Sequence, residues 1–124
     1  MKIKIEELEQ LILLTLLTKY TLEEANLIKD VVLFGELSGK PSHGLLRLLK
    51  ENFGVFTDTI KGKPVLIRKT DVSTLIDGNG NVGMLMGSLA MQEVIKLGAK
   101  HGIGIVGTKG SVNSTGSLSY YSEK

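Results

Sequence analysis

A short stretch of this sequence places three side chains suited to proton transfer and anion binding within six residues. Ser42 and His43 are adjacent, and Arg47 follows the histidine after one helical turn of sequence. An imidazole can donate or accept a proton near neutral pH, and a guanidinium can bind a carboxylate through two parallel hydrogen bonds. On a helix the histidine and the arginine would share one face. The pattern therefore predicts chemistry on a small organic acid.

The same residues also have a purely structural interpretation. Ser42 fits a helix N-cap, and Gly44 would follow inside the first turn of that helix. A single histidine and a single arginine on a helix are more often solvated than catalytic. The spacing alone leaves both interpretations open.

The segment from Gly35 to Arg47 reads GELSGKPSHGLLR and resembles the N-terminal signature of the malate/L-lactate dehydrogenase family, which lacks the usual Rossmann domain. Three later stretches resemble that family in the same order, namely Leu75–Gly80, Gly102–Val106, and Gly116 with Tyr120 and Tyr121. Family members are considerably longer than this chain. The resemblance therefore implies the N-terminal part of a longer fold.

The resemblance implies hydride transfer between NAD or NADP and a small 2-hydroxy or 2-oxo acid such as malate or lactate. Ser42 would donate a hydrogen bond to the substrate, and Arg47 would bind its carboxylate. His43 would be the catalytic residue that gives or takes the proton when a carbonyl becomes an alcohol. The resemblance assigns most of the cofactor site to segments absent from this chain, so no cofactor-binding residue is predicted here.

The family also carries a second histidine in the loop just before the glycine that matches Gly116. Here Asn113 or Ser114 takes that position, depending on the alignment, and neither titrates near neutral pH. We therefore expect both residues to be substrate contacts and not proton carriers. The remaining histidine, His101, lies near the end of a predicted helix and is interpreted as a surface residue.

Composition limits the class of protein. A length of 124 residues with 42% hydrophobic content fits a single globular domain. A net charge of +2 argues against nucleic-acid binding, and the absence of cysteine excludes disulfides and thiolate metal sites. The apolar run Leu11–Leu17 is too short to span a membrane, and acidic residues precede it. We expect a cytoplasmic protein without a metal that forms a homo-oligomer or associates with a longer chain.

Residue periodicity predicts an α/β fold in which N-terminal helices precede a small mixed or parallel sheet with a crossover helix. Residues 1–124 form one domain, helical over about 1–60 and strand–helix–strand over about 65–124. Helices are predicted at 5–18, 22–37, 43–53 and 82–101, and strands at 65–70, 72–77 and 103–108. The first helix is expected to pack on more than one side, and the last strand to be buried and parallel. Residues 55–60 are ambiguous.

The stretch from Gly78 to Gly83 spells G-x-G-x-x-G between a predicted strand and a predicted helix, as in a dinucleotide-binding loop. No acidic residue ends the following strand, although Lys109 could contact a 2′-phosphate. The asparagines within the stretch are typical turn formers. Two alternatives to a dehydrogenase therefore stay open: a non-catalytic binding or assembly module that has lost the cofactor segments, and a small Rossmann-like nucleotide binder using Gly80 and Gly83.

Overall fold

The computed structural model describes residues 2–49 and 54–124, and it confirms the α/β class predicted from the sequence. The α-helices are α1 (Ile5–Leu16), α2 (Leu22–Leu37), α3 (Gly83–His101) and α4 (Leu118–Ser122). The strands are β1 (Val65–Lys69), β2 (Ser73–Asp77) and β3 (Ile105–Lys109). β2 is the central strand, antiparallel to β1 and parallel to β3, so α3 is the predicted crossover helix.

Local sequence signals define where the main helices begin. Thr21 Oγ1 accepts a hydrogen bond from the Glu24 backbone N–H, and the Glu24 carboxylate accepts one from the Thr21 N–H. This reciprocal capping box fixes the start of α2. At the C-terminal end of α3, Gly102 adopts a left-handed backbone and its N–H donates to the Gly98 carbonyl. This arrangement ends the helix.

The core lies where α1, α2 and the first turns of α3 meet. Its fully buried side chains recur every three or four residues along α1 and α2, which explains the amphipathic pattern in the sequence. Met84 and Met86 of α3 are buried in the core, whereas Met91 is half-buried. The buried residues contributed by the three helices include Ile12, Leu16, Ile28, Val31, Val32, Met84 and Leu85.

The predicted helix over 43–53 is wrong within the residues that the structure describes. Two short 3-10 turns, Pro41–His43 and Leu45–Leu48, replace it, and residues 50–53 lie outside the described part of the chain. Gly44 separates the turns because its backbone, with φ −110° and ψ −130°, is not helical. Ser42 therefore lies inside a turn and not at a helix N-cap.

Burial differs from the sequence-based prediction at both ends of the chain. The prediction that α1 packs on more than one side is wrong, since Leu14 is 65% exposed. β3 is parallel as predicted, but it lies at the sheet edge and is mostly exposed.

Residues 55–60 are irregular and contain no helical turn. His101 is exposed, which confirms the surface interpretation. Among the helices in the described ranges, none combines the length and the apolar character needed to cross a membrane.

Candidate active site

The first 3-10 turn holds the serine and the histidine in contact. Pro41 begins the turn, and the His43 N–H donates to the Lys40 carbonyl at 2.8 Å. A hydrogen bond of 3.0 Å joins Ser42 Oγ and His43 Nδ1, with a direction set by the imidazole tautomer. Because Ser42 engages Nδ1, the second ring nitrogen, Nε2, is the one suited to proton transfer with a ligand. His43 is half-buried as a residue, and its hydrogen bond with Ser42 is exposed to solvent.

Two glycines clasp this turn onto the last turns of α2. A Cβ on Gly35 would overlap the carbonyl group of His43, and a Cβ on Gly44 would lie 2.7 Å from the backbone nitrogen of Glu36. Neither position can accommodate a side chain without moving backbone. This mutual contact, here called the Gly35–Gly44 clasp, fixes the backbone of His43 relative to α2.

Glu36 explains why the chain does not continue as one helix after His43. Its carboxylate accepts a hydrogen bond from the Leu45 N–H at 3.0 Å, so that N–H points toward α2. The Arg47 N–H then donates to the Gly44 carbonyl within the second turn. Arg47 is half-buried with its Nε atom enclosed. The histidine and the arginine are thus positioned by two separate turns and not by one helix face.

The loop after β3 carries the two other residues predicted to contact substrate. Asn113 has a left-handed backbone, with φ 60°, and its side-chain nitrogen donates to the Gly54 carbonyl at 2.9 Å. The Val55 N–H next to Gly54 donates to the Arg47 carbonyl, so Asn113 is tied to the arginine segment. Ser114 Oγ accepts from the Gly116 N–H at 3.0 Å and lies at the start of the turn into α4.

The signature turns and the loop meet on one face of α2. Gly116 packs against Val31, and His43 packs against Gly35, one helical turn further along. This spacing places the two segments about 6 Å apart along the axis of α2. The structure therefore brings together residues that are about seventy positions apart in the sequence.

Two tyrosines position the helix that follows the loop. Tyr121 Oη donates to the Thr115 carbonyl at 2.7 Å, and burial raises the pKa of this phenol to about 12. The Tyr120 ring stacks edge-on against Phe34 of α2 at 5.6 Å. A Cβ on Gly87 of α3 would overlap the Tyr121 ring. The loop is thus held between α2 and α3.

The glycine-rich turn from Gly78 to Gly83 packs against the protein's own backbone. A Cβ on Gly80 would overlap the Thr59 carbonyl, and Thr59 Oγ1 donates to the Gly80 carbonyl at 2.8 Å. The Gly83 N–H donates to the Val112 carbonyl at 2.8 Å. A cavity of about 420 Å³ lies beside the turn, but the N–H groups of Gly78 and Gly80 donate to the Lys109 and Gly110 carbonyls and are not available to a pyrophosphate. The glycines are explained without a nucleotide.

Sequence reasoning missed three residues that shape the site, namely Gly35, Glu36 and Lys40. One signal was available, since a glycine inside an otherwise helical pattern commonly marks a close packing contact. Nothing in the local pattern indicated that Glu36 would accept a backbone hydrogen bond nine residues away. Among the described residues, no group of histidine, aspartate and glutamate side chains could hold a metal ion.

The fold defines an α/β domain with a three-stranded mixed sheet, and comparison with known proteins identifies its family. The malate/L-lactate dehydrogenase family profile matches residues 3–124. The L-sulfolactate dehydrogenase of Methanocaldococcus jannaschii is 30% identical over 94% of this chain and 35% of its own length. The malate dehydrogenase of Pyrococcus abyssi is 34% identical over 80% of this chain and 28% of its own.

A solved structure agrees with these sequence matches. The malate dehydrogenase of Pyrococcus horikoshii superposes with a TM-score of 0.86 at 29% identity, covering 98% of this chain and 35% of that protein. The chain therefore belongs to the malate/L-lactate dehydrogenase family, as the signature resemblance predicted. It spans about a third of the length of the relatives that it matches.

Proposed function

We propose that this chain supplies the acid-binding and proton-transfer part of an oxidoreductase that exchanges a hydride between NAD or NADP and a 2-hydroxy or 2-oxo acid. One observation carries the proposal: the His43 turn packs on Gly35 of α2, and the loop that holds Asn113 and Ser114 packs on Val31 of the same helix through Gly116. Asn113 also binds the Gly54 carbonyl, next to the Val55 N–H that donates to the Arg47 carbonyl. The family supports the reaction class. Because relatives are about three times longer, the proposed activity is that of a larger assembly.

The proposed roles follow from the contacts that each side chain makes. His43 Nε2 exchanges the proton at the C2 oxygen of the acid, while Ser42 orients the ring through Nδ1. Arg47 binds the carboxylate next to C2, as a guanidinium suits a planar anion. Asn113 and Ser114 contact the substrate from the loop. The Asn113 amide is already oriented by Gly54, which reduces the entropic cost of that contact.

The cofactor is assigned to parts of the larger assembly other than the described residues. Relatives named malate dehydrogenase suggest a nicotinamide cofactor, which would supply the redox chemistry. The glycine-rich turn does not fit its pyrophosphate, because the N–H groups of Gly80 and Gly83 already donate to the Gly110 and Val112 carbonyls. This chain therefore contributes the proton-transfer and acid-binding steps.

The substrate class follows from the relatives' names. The similar proteins act on malate and sulfolactate, which both carry a second acidic group, a carboxylate or a sulfonate, on C3. We infer that the acid bound here is also a dianion, with lactate as a weaker alternative.

A non-catalytic assembly role is the second candidate, and a specific observation favours it. Leu11 and Leu14 on the outer face of α1 are 54% and 65% exposed, and β3 presents an edge with exposed Ile105. Exposed apolar side chains on a helix face and at a sheet edge favour association with a second copy or a longer chain. A monomer by light scattering that shows no turnover would contradict both candidates.

Fluorescence titration of NADH and NADPH, with and without oxaloacetate, tests the enzymatic proposal. In the assembly that also contains the cofactor-binding parts, we expect oxaloacetate-dependent oxidation of one nicotinamide that falls at least a hundredfold in His43→Ala. His101→Ala, the only other histidine substitution available, is the matched control and should keep full activity. Equal loss in both variants, or turnover that survives His43→Ala, would remove His43 from the mechanism.

A further inference from the structure

A dianionic acid needs a second cation near the site. Arg47 can neutralise the carboxylate next to C2, but a group on C3 would then be desolvated without a partner. An anion brought out of water without a compensating charge or hydrogen bond binds weakly. The loop from Ser111 to Gly116 contains no lysine or arginine, so the second cation must come from another segment.

Lys40 has a backbone fixed relative to the catalytic turn. Its N–H donates to the Gly35 carbonyl at 2.9 Å, and its carbonyl accepts from the His43 N–H at 2.8 Å. These two bonds tie Lys40 to α2 on one side and to the histidine on the other. The base of the Lys40 side chain therefore keeps a constant position relative to the His43 backbone.

The Lys40 side chain reaches across to the segment that follows the loop. Its Nζ lies 3.4 Å from Ser119 Oγ, and the Ser119 hydroxyl shares a hydrogen bond of 2.7 Å with Ser117 Oγ. Lys40 thus spans the place where the signature turn meets the loop and α4. Within the described ranges Lys40 makes no ion pair, whereas four other lysines do, namely Lys19, Lys29, Lys69 and Lys109.

We propose that Lys40 is a specificity-determining residue that binds the second acidic group of a C4-type dicarboxylate or a sulfonated analogue. The inference rests on the proposed function, because it assigns the distal end of the same substrate. The ammonium is exposed, so it can turn from Ser119 to an incoming anion. Three donor protons let it accept either a carboxylate or a sulfonate.

A lysine at the far end of α3 provides a matched control. Met84 packs beside Gly116, whereas Lys100 lies sixteen residues further along the same helix, about 24 Å away. That separation exceeds the screening length at physiological salt. Lys100→Met removes one positive charge from the protein without touching the site.

Calorimetric titration of malate and lactate into the full chain, with and without NADH, tests the inference. We expect the wild type to prefer malate, and Lys40→Met to weaken malate binding about tenfold or more while lactate binding changes less than about twofold. Lys40→Arg should keep the preference, and Lys100→Met should behave as wild type. A merely structural Lys40 would instead weaken both acids equally.

The outcomes separate this inference from the proposed function. A wild type that prefers malate and a Lys40→Met variant that keeps the preference would overturn the role of Lys40 alone. If Lys40→Met and Lys100→Met weaken malate binding equally, the effect of Lys40 is one of overall charge, and this result would also overturn the specificity role of Lys40. A wild type that binds neither acid would overturn the proposed function and this inference with it.

Discussion

Because of the Gly35–Gly44 clasp, we predict that Gly35→Ala lowers the free energy of unfolding, although alanine has the higher helix propensity. Alanine in place of glycine inside a helix normally stabilises by about 0.5–1 kcal/mol. At Gly35, however, the new Cβ would overlap the His43 carbonyl, which is backbone and cannot rotate away. Overpacking of this kind costs about 1–3 kcal/mol. Gly35→Ala should therefore have a lower free energy of unfolding than the wild type, although alanine forms helices better than glycine.

Gly98 in α3 supplies the control for this experiment. A Cβ at Gly98 would meet nothing within 4 Å, so Gly98→Ala gains helix propensity without a clash. Because both variants share that gain, the difference between their free energies of unfolding isolates the clash, about 1–3 kcal/mol. Urea unfolding followed by circular dichroism measures both values. Equal stabilisation in the two variants would show that His43 is not clasped against α2.

Two further predictions concern the loops around the site. Gly80→Val should lower the free energy of unfolding by about 1–3 kcal/mol, since Gly80 has φ +78° and faces the Thr59 carbonyl. If the variant instead keeps its stability and loses affinity for NADPH, the result would support the nucleotide-binding alternative. The raised pKa of Tyr121, about 12 against an ordinary 10, favours the neutral phenol in the folded state. Burial of the neutral phenol contributes fully to the free energy of unfolding below pH 10, and this contribution is lost as the pH rises through 12. The urea midpoint of the wild type should therefore fall over this pH range, and it should fall less in Tyr121→Phe.

Sequence patterns predicted the elements whose cause is local. The capping box at Thr21 and the left-handed glycine at the end of α3 act within a few residues, so the bounds of these helices were accessible from sequence. β1 and β2 also begin and end within one residue of the predicted strands. The exposure of His101 likewise agrees with its predicted place near the end of a helix.

The errors occur where a distant contact determines the local conformation. The helix predicted from His43 is broken because Glu36 takes the Leu45 N–H and Gly44 packs on α2, and neither contact is visible in a local window. The apolar run of β3 predicts burial, but the neighbours of a strand are set by topology and not by its own residues. The position of His43 relative to Arg47 is therefore a tertiary property, although the residue types were identifiable from the sequence.

The histidine side chains themselves report most directly on the central claim. The chain has two histidines, so proton NMR gives two sets of imidazole signals, and His43→Ala assigns them. During a malate titration we predict a saturable shift of the His43 signals, no shift of the His101 signals, and loss of the effect in Arg47→Met. Signals of His43 that stay fixed while malate is added, or that move in parallel with those of His101, would contradict an acid-binding site at this turn.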